Sequence, residues 1–325
     1  MRQGATPETQ AALAERYRRF AQIEAEGHSP LYTDWARHVA GSARALAFLG
    51  DLPPDRRQPN LFFAALRLVG GLPRTEAAFD DVLTCKADAI AAVMRTRRTQ
   101  TNEPGRCACL LPLLARLDGP LALIEVGASA GLCLLPDLYG YDWGRARLDP
   151  PVGAGVPVFP CRVNDLAPLP VHHPEIVWRA GLDLAPPDLE DAGDVAWLEA
   201  LVWPEQTDRL ARLRQAVAVA RQEPPPVVAG DLTRDLEALL AQAPADARLV
   251  VMHSAVLTYV SDPDARADFA RLMRSRDLHW ISNEAPGVFP DHAKGLTPRA
   301  GKFLMALDGH PIAWTGPHGQ SLDWL

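Results

Sequence analysis

A short apolar segment that leads into a glycine-rich turn constrains the fold of this chain more than any other feature. Residues 121–126 read LALIEV, and only Glu125 interrupts their apolar character. The next five residues, GASAG, are all small, and residues 132–138 are again mostly apolar. A short apolar run that ends at glycine is typical of a strand buried on both faces. With the turn and a helix over 132–138, it forms the first half of a βαβ unit and predicts an α/β fold.

The turn fits more than one kind of site. In the first, Glu125, Gly127, Ala128, Ser129 and Gly131 surround a nucleotide-type cofactor, because glycines let a ligand approach the backbone at a helix N-terminus. This acidic-x-Gly-x-x-x-Gly pattern resembles the first motif of class I S-adenosylmethionine-dependent methyltransferases. The resemblance implies that the glycines make room for the amino-acid end of the cofactor. It also implies that Glu125 holds the cofactor's ammonium group, directly or through water.

In the second kind of site, Gly127-x-Ser129-x-Gly131 is the nucleophile elbow of an α/β-hydrolase, with Ser129 as the nucleophile. A glycine-rich turn that serves packing alone is a third possibility. The spacing does not separate these three interpretations, so the rest of the chain must.

The residues before the turn predict helices only. Helical spacing of apolar residues extends over 8–26, 29–49, 60–69 and 75–97, and Leu13, Tyr17, Phe20 and Ile23 mark the apolar side of the first of these. No alternating strand pattern precedes Leu121. A hydrolase elbow follows several strands, so this order favours the cofactor site. We expect a helical domain over 1–117 and a Rossmann-like domain over 118–325, with insertions near 140–175 and 186–222.

Composition limits the partners. The net charge of −7 over 325 residues argues against broad binding to nucleic acid or anionic membranes. No apolar run approaches the roughly 20 residues that span a bilayer, and the first residues lack the apolar core of a signal peptide. The five cysteines are odd in number and have no metal-ligand spacing. We therefore expect a cytoplasmic protein without a metal site.

A polar segment over 99–107 leads into a helix predicted over 110–117. Loops that enter a cofactor domain often cover its pocket. Asn102 and Arg106, with Glu103 beside them, are therefore candidates for contact with the cofactor or the substrate. A solvated linker between domains is the alternative.

The second half alternates strands and helices. Residues 156–163 predict a strand that pairs with 146–148 in an inserted hairpin. Residues 175–183 predict a strand that ends at Asp183, the position at which a carboxylate grips the ribose in doubly wound nucleotide-binding folds. Asp149 has the more usual spacing from the turn but lies in proline-rich sequence without a strand before it, so we prefer Asp183.

Residues 194–221 predict a helix that Pro204 breaks. Trp197, Trp203 and Glu205 near this break are candidates for a substrate pocket, with Glu205 as a catalytic residue. The alternative is that both tryptophans are core residues and Glu205 caps the next helix. A short strand over 226–231 ends at Asp231, which either contacts the adenine, as the resemblance implies, or caps the following helix.

The most apolar strand after the first lies over 247–259 and contains His253. The resemblance to class I methyltransferases implies that the end of this fourth strand faces the reacting methyl group, and a His pKa lies close to working pH. His253 is therefore our candidate for substrate contact or general base, and a satisfied core histidine is the alternative. A strand over 279–284 brings Asn283 and Glu284 to the same rim, and residues 303–314 predict a terminal antiparallel hairpin.

The segments TQTNEPGRC, LIEVGASAGL, VWRAGLD, LVWPEQ, VVMHSAVLTYV and WISNEAP resemble a bacterial family known as domain of unknown function 2332. The likeness extends over nearly the whole chain. It implies a methyltransferase-like Rossmann sheet and no established reaction. Class I methyltransferases add an antiparallel hairpin of the predicted kind to their parallel sheet. Pro136 departs from the pattern, since it kinks or delays the helix after the turn.

Taken together, the residues and the resemblance to class I methyltransferases imply S-adenosylmethionine-dependent methyl transfer to a small molecule, with neither nucleic acid nor membrane as a partner. No Asn/Asp-Pro-Pro-Tyr sequence follows the fourth strand, which argues against methylation of nucleic-acid bases. Three alternatives stay open. They are a serine hydrolase that uses Ser129 with Asp291 and His310, a non-catalytic module that senses a nucleoside, and a domain without a ligand that serves assembly.

Overall fold

A computed structural model describes residues 9–100, 102–151, 153 and 155–325 of the chain. The described residues form two compact units. The first contains the residues before Asn102 together with Ala192–Leu210, and the second contains Asn102–Asp191 and Ala211–Leu325. Residues 102–117 therefore belong with the sheet-containing unit, and Ala192–Leu210, from the expected second insertion, belongs with the helical unit.

The helices and strands follow one another along the described chain in an order typical of an α/β protein. The α-helices are α1 (Gln10–Arg19), α2 (Pro30–Gly41), α3 (Ala43–Gly50), α4 (Pro59–Gly70), α5 (Glu76–Cys85), α6 (Ala87–Thr96), α7 (Cys107–Leu114), α8 (Ala192–Leu201), α9 (Thr207–Gln222), α10 (Leu236–Leu240) and α11 (Pro263–Ser275). The strands are β1 (Leu121–Val126), β2 (Gly140–Asp142), β3 (Arg147–Leu148), β4 (Val158–Pro160), β5 (Arg162–Val163), β6 (Ile176–Asp183), β7 (Val227–Ala229), β8 (Arg248–Ser254), β9 (His279–Glu284), β10 (Phe303–Leu307), β11 (His310–Thr315) and β12 (Ser321–Trp324). None of the described helices is long and apolar enough to cross a membrane.

The first unit is helical, as the sequence predicts, but two of the predicted helices are interrupted. The helix expected over 29–49 ends at Gly41, and the Ser42 hydroxyl then caps α3 by accepting from the Ala45 N–H at 3.2 Å. The helix expected over 75–97 is divided at Lys86, where φ is −127°. The expected first residue of the 8–26 helix, Glu8, lies outside the described residues.

A change of helical pitch corrects one core prediction. After α1 the chain continues as a π-helix over Phe20–Ala25. A π-helix advances fewer degrees per residue, so a side chain placed by α-helical spacing turns away from the core. Ile23 is accordingly 65% exposed, whereas Leu13, Tyr17 and Phe20 are buried. Aromatic side chains from four helices complete this core, and Trp197 of α8 is buried in it.

The second unit is built on a nine-stranded sheet in the order β5-β12-β11-β10-β9-β8-β1-β6-β7. The five strands from β9 to β7 are parallel, with β1 at the centre between β6 and β8. β10, β11 and β12 extend the sheet as an antiparallel meander from β9. The chain fills the β6 side of β1 first and then crosses to β8. The crevice between the loops after β1 and β8 is therefore the topological switch point, where α/β sheets bind ligands.

Two sequence predictions beside β1 are wrong. The helix expected over 132–138 is replaced by two 3₁₀ turns, Leu132–Leu134 and Pro136–Leu138. Pro136 explains the break, because proline lacks an N–H and disfavours α geometry in the residue before it. The expected hairpin is also different. β3 and β4 do not pair with each other but flank β2 in a small separate sheet, β4 running parallel to it.

An ion pair fixes the 3₁₀ segment to the sheet. The Arg179 guanidinium on β6 donates to both carboxylate oxygens of Asp137 at 2.8 Å and to the carbonyl of Leu134 at 2.7 Å. Both charged side chains are mostly buried. This bidentate geometry is a strong form of the arginine–carboxylate contact.

Candidate functional site

The glycine-rich turn follows the C-terminal end of β1 at the switch point. Gly127, Ser129 and Gly131 have φ values of 70°, 50° and 71°, in the left-handed region. Side chains of the protein occupy the space beside the two glycines. A Cβ placed on Gly127 would lie 2.4 Å from Val256, and one on Gly131 would lie 2.8 Å from Pro225. Backbone conformation and close packing therefore both require these glycines.

The N–H groups of the turn are all engaged within the protein. Such groups form an anion cradle only when they are free to point at a ligand. Here the N–H groups of residues 127–131 donate in order to Leu182 O, Leu182 O, Asp183 Oδ2, Asn102 Oδ1 and Ala128 O, at 2.7 to 3.2 Å. The backbone of Gly127, Ala128, Ser129 and Gly131 thus shapes the site without offering a free donor.

Glu125 is the polar group that the turn leaves unsatisfied. It lies at the end of β1, is only 7% exposed, and its Oε2 has no hydrogen-bond partner among the residues described. Burial raises the pKa of this carboxyl well above its usual value, and Cys133 and Asp183 raise it further. The nearby Arg106 guanidinium opposes this shift. A buried carboxyl with a free oxygen beside a loop is a ligand-site candidate with a physical basis.

The segment at residues 102–106 packs against the turn. Asn102 donates from Nδ2 to Ser129 Oγ at 2.6 Å and accepts from the Ala130 N–H. Arg106 is buried and donates to the carbonyls of Ser254 and Pro317 at 2.8 and 2.9 Å. Sequence reasoning placed both residues at the site, and the structure puts them beside the turn and the end of β8.

The two aspartates predicted to anchor the nucleoside differ in their surroundings. Asp183 ends β6 and accepts from the N–H groups of Ser129 and Ala185 at 2.8 and 2.9 Å. Asp231 closes a local turn by accepting from the Thr233 N–H and hydroxyl, which lower its pKa. Asp235, not Asp231, immediately precedes α10. Asp183 therefore adjoins the turn, and Asp231 follows the neighbouring strand β7.

Asp149, the alternative ribose carboxylate, is an exposed residue after β3. It pairs with Arg147 at 2.7 Å, and this contact raises the arginine's pKa. Its position in the small sheet keeps Asp183 as the better placed of the two.

His253 is enclosed in the core of the second unit. Its Nδ1 lies 2.7 Å from Glu284 Oε1, and its Nε2 accepts from the Trp280 indole N–H at 2.9 Å. The ring also packs edge-on against Phe269 and is 1% exposed. Both nitrogens are thus engaged by protein groups, which matches the core alternative and leaves no lone pair for a substrate proton.

Glu205 belongs to the first unit. Its carboxylate accepts from the Ser29 hydroxyl at 2.6 Å and the Leu31 N–H at 3.1 Å. These groups begin α2, so Glu205 stabilises the N-terminus of that helix, where a negative charge is favourable. It caps a helix, although not the one that follows it in sequence.

Glu284 has a role that sequence reasoning did not assign. Besides His253, its Oε1 accepts from the N–H groups of Val256 and Leu257 at 2.9 and 3.1 Å. It therefore fixes the loop after β8, the loop that brings Val256 against Gly127. The polar end of β9 was the available signal, since it lies beside the end of β8, on the edge of the sheet where α/β folds bind ligands.

The hydrolase triad is not assembled. His310 pairs with Leu307, level with Ile281 near the start of β9, whereas Ser129 follows the opposite end of the parallel strands. The groups bonded to Ser129 are the side chains of Asn102 and Asp183. No histidine bonds to Ser129 among the residues described, so the general base that an elbow nucleophile needs is missing from this arrangement.

The site therefore consists of a buried carboxyl with a free oxygen, a buried guanidinium and a self-bonded turn at the switch point. This combination suits a small ligand that carries a hydrogen-bond donor for Glu125. A family model described as uncharacterized protein conserved in bacteria, domain of unknown function 2332, matches residues 14–324. Neither the curated proteins nor the solved structures give a significant match to the chain.

Proposed function

We propose that this chain, which belongs to the bacterial family of domain of unknown function 2332, is an S-adenosylmethionine-dependent methyltransferase that acts on a small molecule. The observation that carries the proposal is Glu125, a buried carboxyl with an unpartnered oxygen at the end of the central strand. A bound ammonium group would stabilise the ionised form of this buried carboxyl and donate a charged hydrogen bond to it.

The arrangement of the sheet supports this proposal. Five parallel strands with a switch point between β1 and β8 are a nucleotide-binding arrangement, and added antiparallel strands suit a methyltransferase-like Rossmann sheet. Two features depart from that pattern. The turn leads into a 3₁₀ turn rather than an α-helix, and the added strands form a simple meander beside β9.

The side chains of this site suit the polar groups of the cofactor, whereas the backbone of the turn has no N–H group left for it. Glu125 would hold the ammonium group, Arg106 the carboxylate, Asp183 the ribose hydroxyls and Asp231 the adenine amino group. Asp183 adjoins the turn, where its two oxygens accept from the N–H groups of Ser129 and Ala185. The turn contributes packing rather than hydrogen bonds, because its N–H groups are already used.

The bound cofactor would supply an activated methyl group, and this chain would supply orientation. Holding two reactants in line accounts for a large part of the rate in such reactions. His253 and Glu205 take no part in the proposal, because their polar atoms are engaged in the core of the second unit and at the start of α2. We expect an acceptor whose nucleophile needs no strong base.

Isothermal titration of the full chain with S-adenosylmethionine and S-adenosylhomocysteine tests the proposal. We expect both to bind, and Glu125→Gln to weaken both by about 10- to 100-fold through loss of a charged hydrogen bond. Glu223→Gln, at an exposed carboxylate of the same unit, is the matched control and should bind as the wild type does. Binding of neither compound to the wild type would refute the proposal. Binding without methyl transfer to any acceptor would indicate a sensor.

A further inference from the structure

We infer that Asn102 is a positioning residue, which turns the Ser129 hydroxyl into a hydrogen-bond donor for the ligand of this site. The identity of that ligand rests on the function proposed above. The polarity of the hydroxyl rests on hydrogen bonds within the protein alone.

The orientation of the Asn102 amide follows from its neighbours. The Ala130 N–H can only donate, so the atom 2.8 Å from it must be the amide oxygen. The amide nitrogen therefore faces Ser129 Oγ at 2.6 Å. An amide nitrogen donates and does not accept, so Ser129 Oγ is the acceptor in that contact. The proton of the Ser129 hydroxyl must point elsewhere.

Within the described part of the chain, that proton has no protein acceptor. Ser129 is 5% exposed, and no residue in the described ranges accepts from its hydroxyl. Its own N–H is held by Asp183, and its φ of 50° is unusual for a residue with a side chain. A buried donor without an acceptor is unfavourable, so an external oxygen is the partner that this geometry requires.

Among the residues described, the turn region thus presents a free acceptor and a free donor to a ligand. Glu125 Oε2 takes a donor, and the Ser129 hydroxyl takes an oxygen acceptor. A ligand that carries an ammonium group and an oxygen acceptor, as an α-amino acid group does, satisfies both. The residue at position 102 then determines whether the second contact is made.

Asn102→Asp reverses this polarity with little change in shape. A carboxylate at position 102 still accepts from the Ala130 N–H, but its other oxygen now accepts from the Ser129 hydroxyl. The ligand loses its donor. Ser129→Ala removes the same donor directly, so the two substitutions should affect ligand binding through one shared hydrogen bond.

A double-mutant cycle on the full chain, titrated with S-adenosylhomocysteine, measures this coupling. We expect Ser129→Ala and Asn102→Asp each to weaken binding about 10-fold, the effect of one hydrogen bond. Adding Asn102→Asp to Ser129→Ala should weaken it by no more than about twofold, since no hydroxyl remains to be reversed. This background also isolates the effect of the added charge. The inference would be overturned if the double mutant bound about 100-fold more weakly than the wild type, the product of the two single effects. It would also be overturned if Asn102→Asp bound as tightly as the wild type.

A second measurement needs no ligand. Carbon-detected NMR gives the pKa of the carboxyl introduced by Asn102→Asp, alone and combined with Ser129→Ala. A hydroxyl that donates to the carboxylate lowers that pKa, so we expect a lower value when Ser129 is present. Equal pKa values in the two variants would overturn the inference. If the wild type binds no adenosyl compound, the proposed function fails, and this measurement still decides the role of Asn102.

Discussion

Replacing Glu125 by glutamine should remove a loss of stability that the wild type shows as pH rises. A salt-bridged carboxylate has the opposite effect, because it makes a protein more stable as pH rises. In the unfolded chain this carboxyl ionises near pH 4.3. In the folded protein burial raises its pKa, so it keeps its proton to a higher pH. Above pH 4.3 the folded state therefore binds more protons than the unfolded state, and the free energy of unfolding falls as pH rises.

The magnitude follows from linkage. Between pH 4.3 and the folded pKa, one differentially bound proton changes the free energy of unfolding by at most about 1.4 kcal/mol per pH unit. Glutamine does not titrate. The stability of the wild type minus that of Glu125→Gln should therefore fall by up to about 3 kcal/mol over two pH units in this window. The buried amide adds an offset that does not depend on pH.

Urea unfolding from pH 5 to 8, followed by circular dichroism at the transition of the second unit, measures this difference. Groups common to both proteins cancel in it. The control, Glu223→Gln, replaces an exposed carboxylate and should give a flat difference. A flat difference for Glu125→Gln as well would show that the Glu125 carboxyl ionises normally, and the argument from its burial would be refuted.

Three further substitutions test other contacts of the second unit by the same unfolding measurement. Asp137→Asn should lower the free energy of unfolding by about 1 to 3 kcal/mol, because it leaves the mostly buried Arg179 guanidinium without its bidentate partner. Adding Arg179→Met should recover part of that loss. A loss below about 0.5 kcal/mol, roughly that of a surface pair, would show that this ion pair does not fix the 3₁₀ segment. Gly127→Ala should lower the free energy of unfolding by about 2 kcal/mol or more, because φ is left-handed there and the new methyl group would overlap Val256. In a Val256→Ala background the loss should be only about 1 kcal/mol, and equal losses in both backgrounds would rule out the packing contact. Burial, and after it the Arg274 charge, lowers the pKa of His292 to about 4. The free energy of unfolding of the wild type should therefore fall by up to about 3 kcal/mol relative to that of His292→Gln as pH drops from about 6.5 to about 4. If the unfolding free energies of the two proteins change in parallel with pH, the lowered pKa is excluded.

The buried strands could be predicted because their signal is local. β1 and β8 are largely buried apolar runs that end at polar or small residues, and burial on both faces of a parallel sheet produces that composition directly. The same rule placed Glu125 and Asp183 correctly at strand ends. In the small sheet the sequence predicted strands at the positions of β3 and β4 but not β2, which pairs with both of them, so the predicted pairing was wrong.

Other contacts that the sequence does not reveal join residues that are distant along the chain. Nothing near Glu205 indicates that it stabilises a helix that begins at Pro30. The occupants of the two His253 nitrogens, Glu284 and Trp280, both come from β9. Long-range side-chain pairs of this kind depend on the assembled fold, so periodicity and spacing cannot reveal them. The loss of the helix at 132–138 is different, since Pro136 was a visible local cause.

The division of the helical unit between two stretches of sequence affects how the protein is made and dissected. Trp197 and the Ala200 carbonyl, which accepts from Arg67, reach that unit only after the intervening stretch Asn102–Asp191 has been synthesised. The amino-terminal helices therefore emerge from the ribosome with an incomplete core and exposed apolar surface. A fragment that ends before Asn102 should aggregate, because it lacks α8. Fusing the α8 sequence to the C-terminal end of α6 would supply the missing helix.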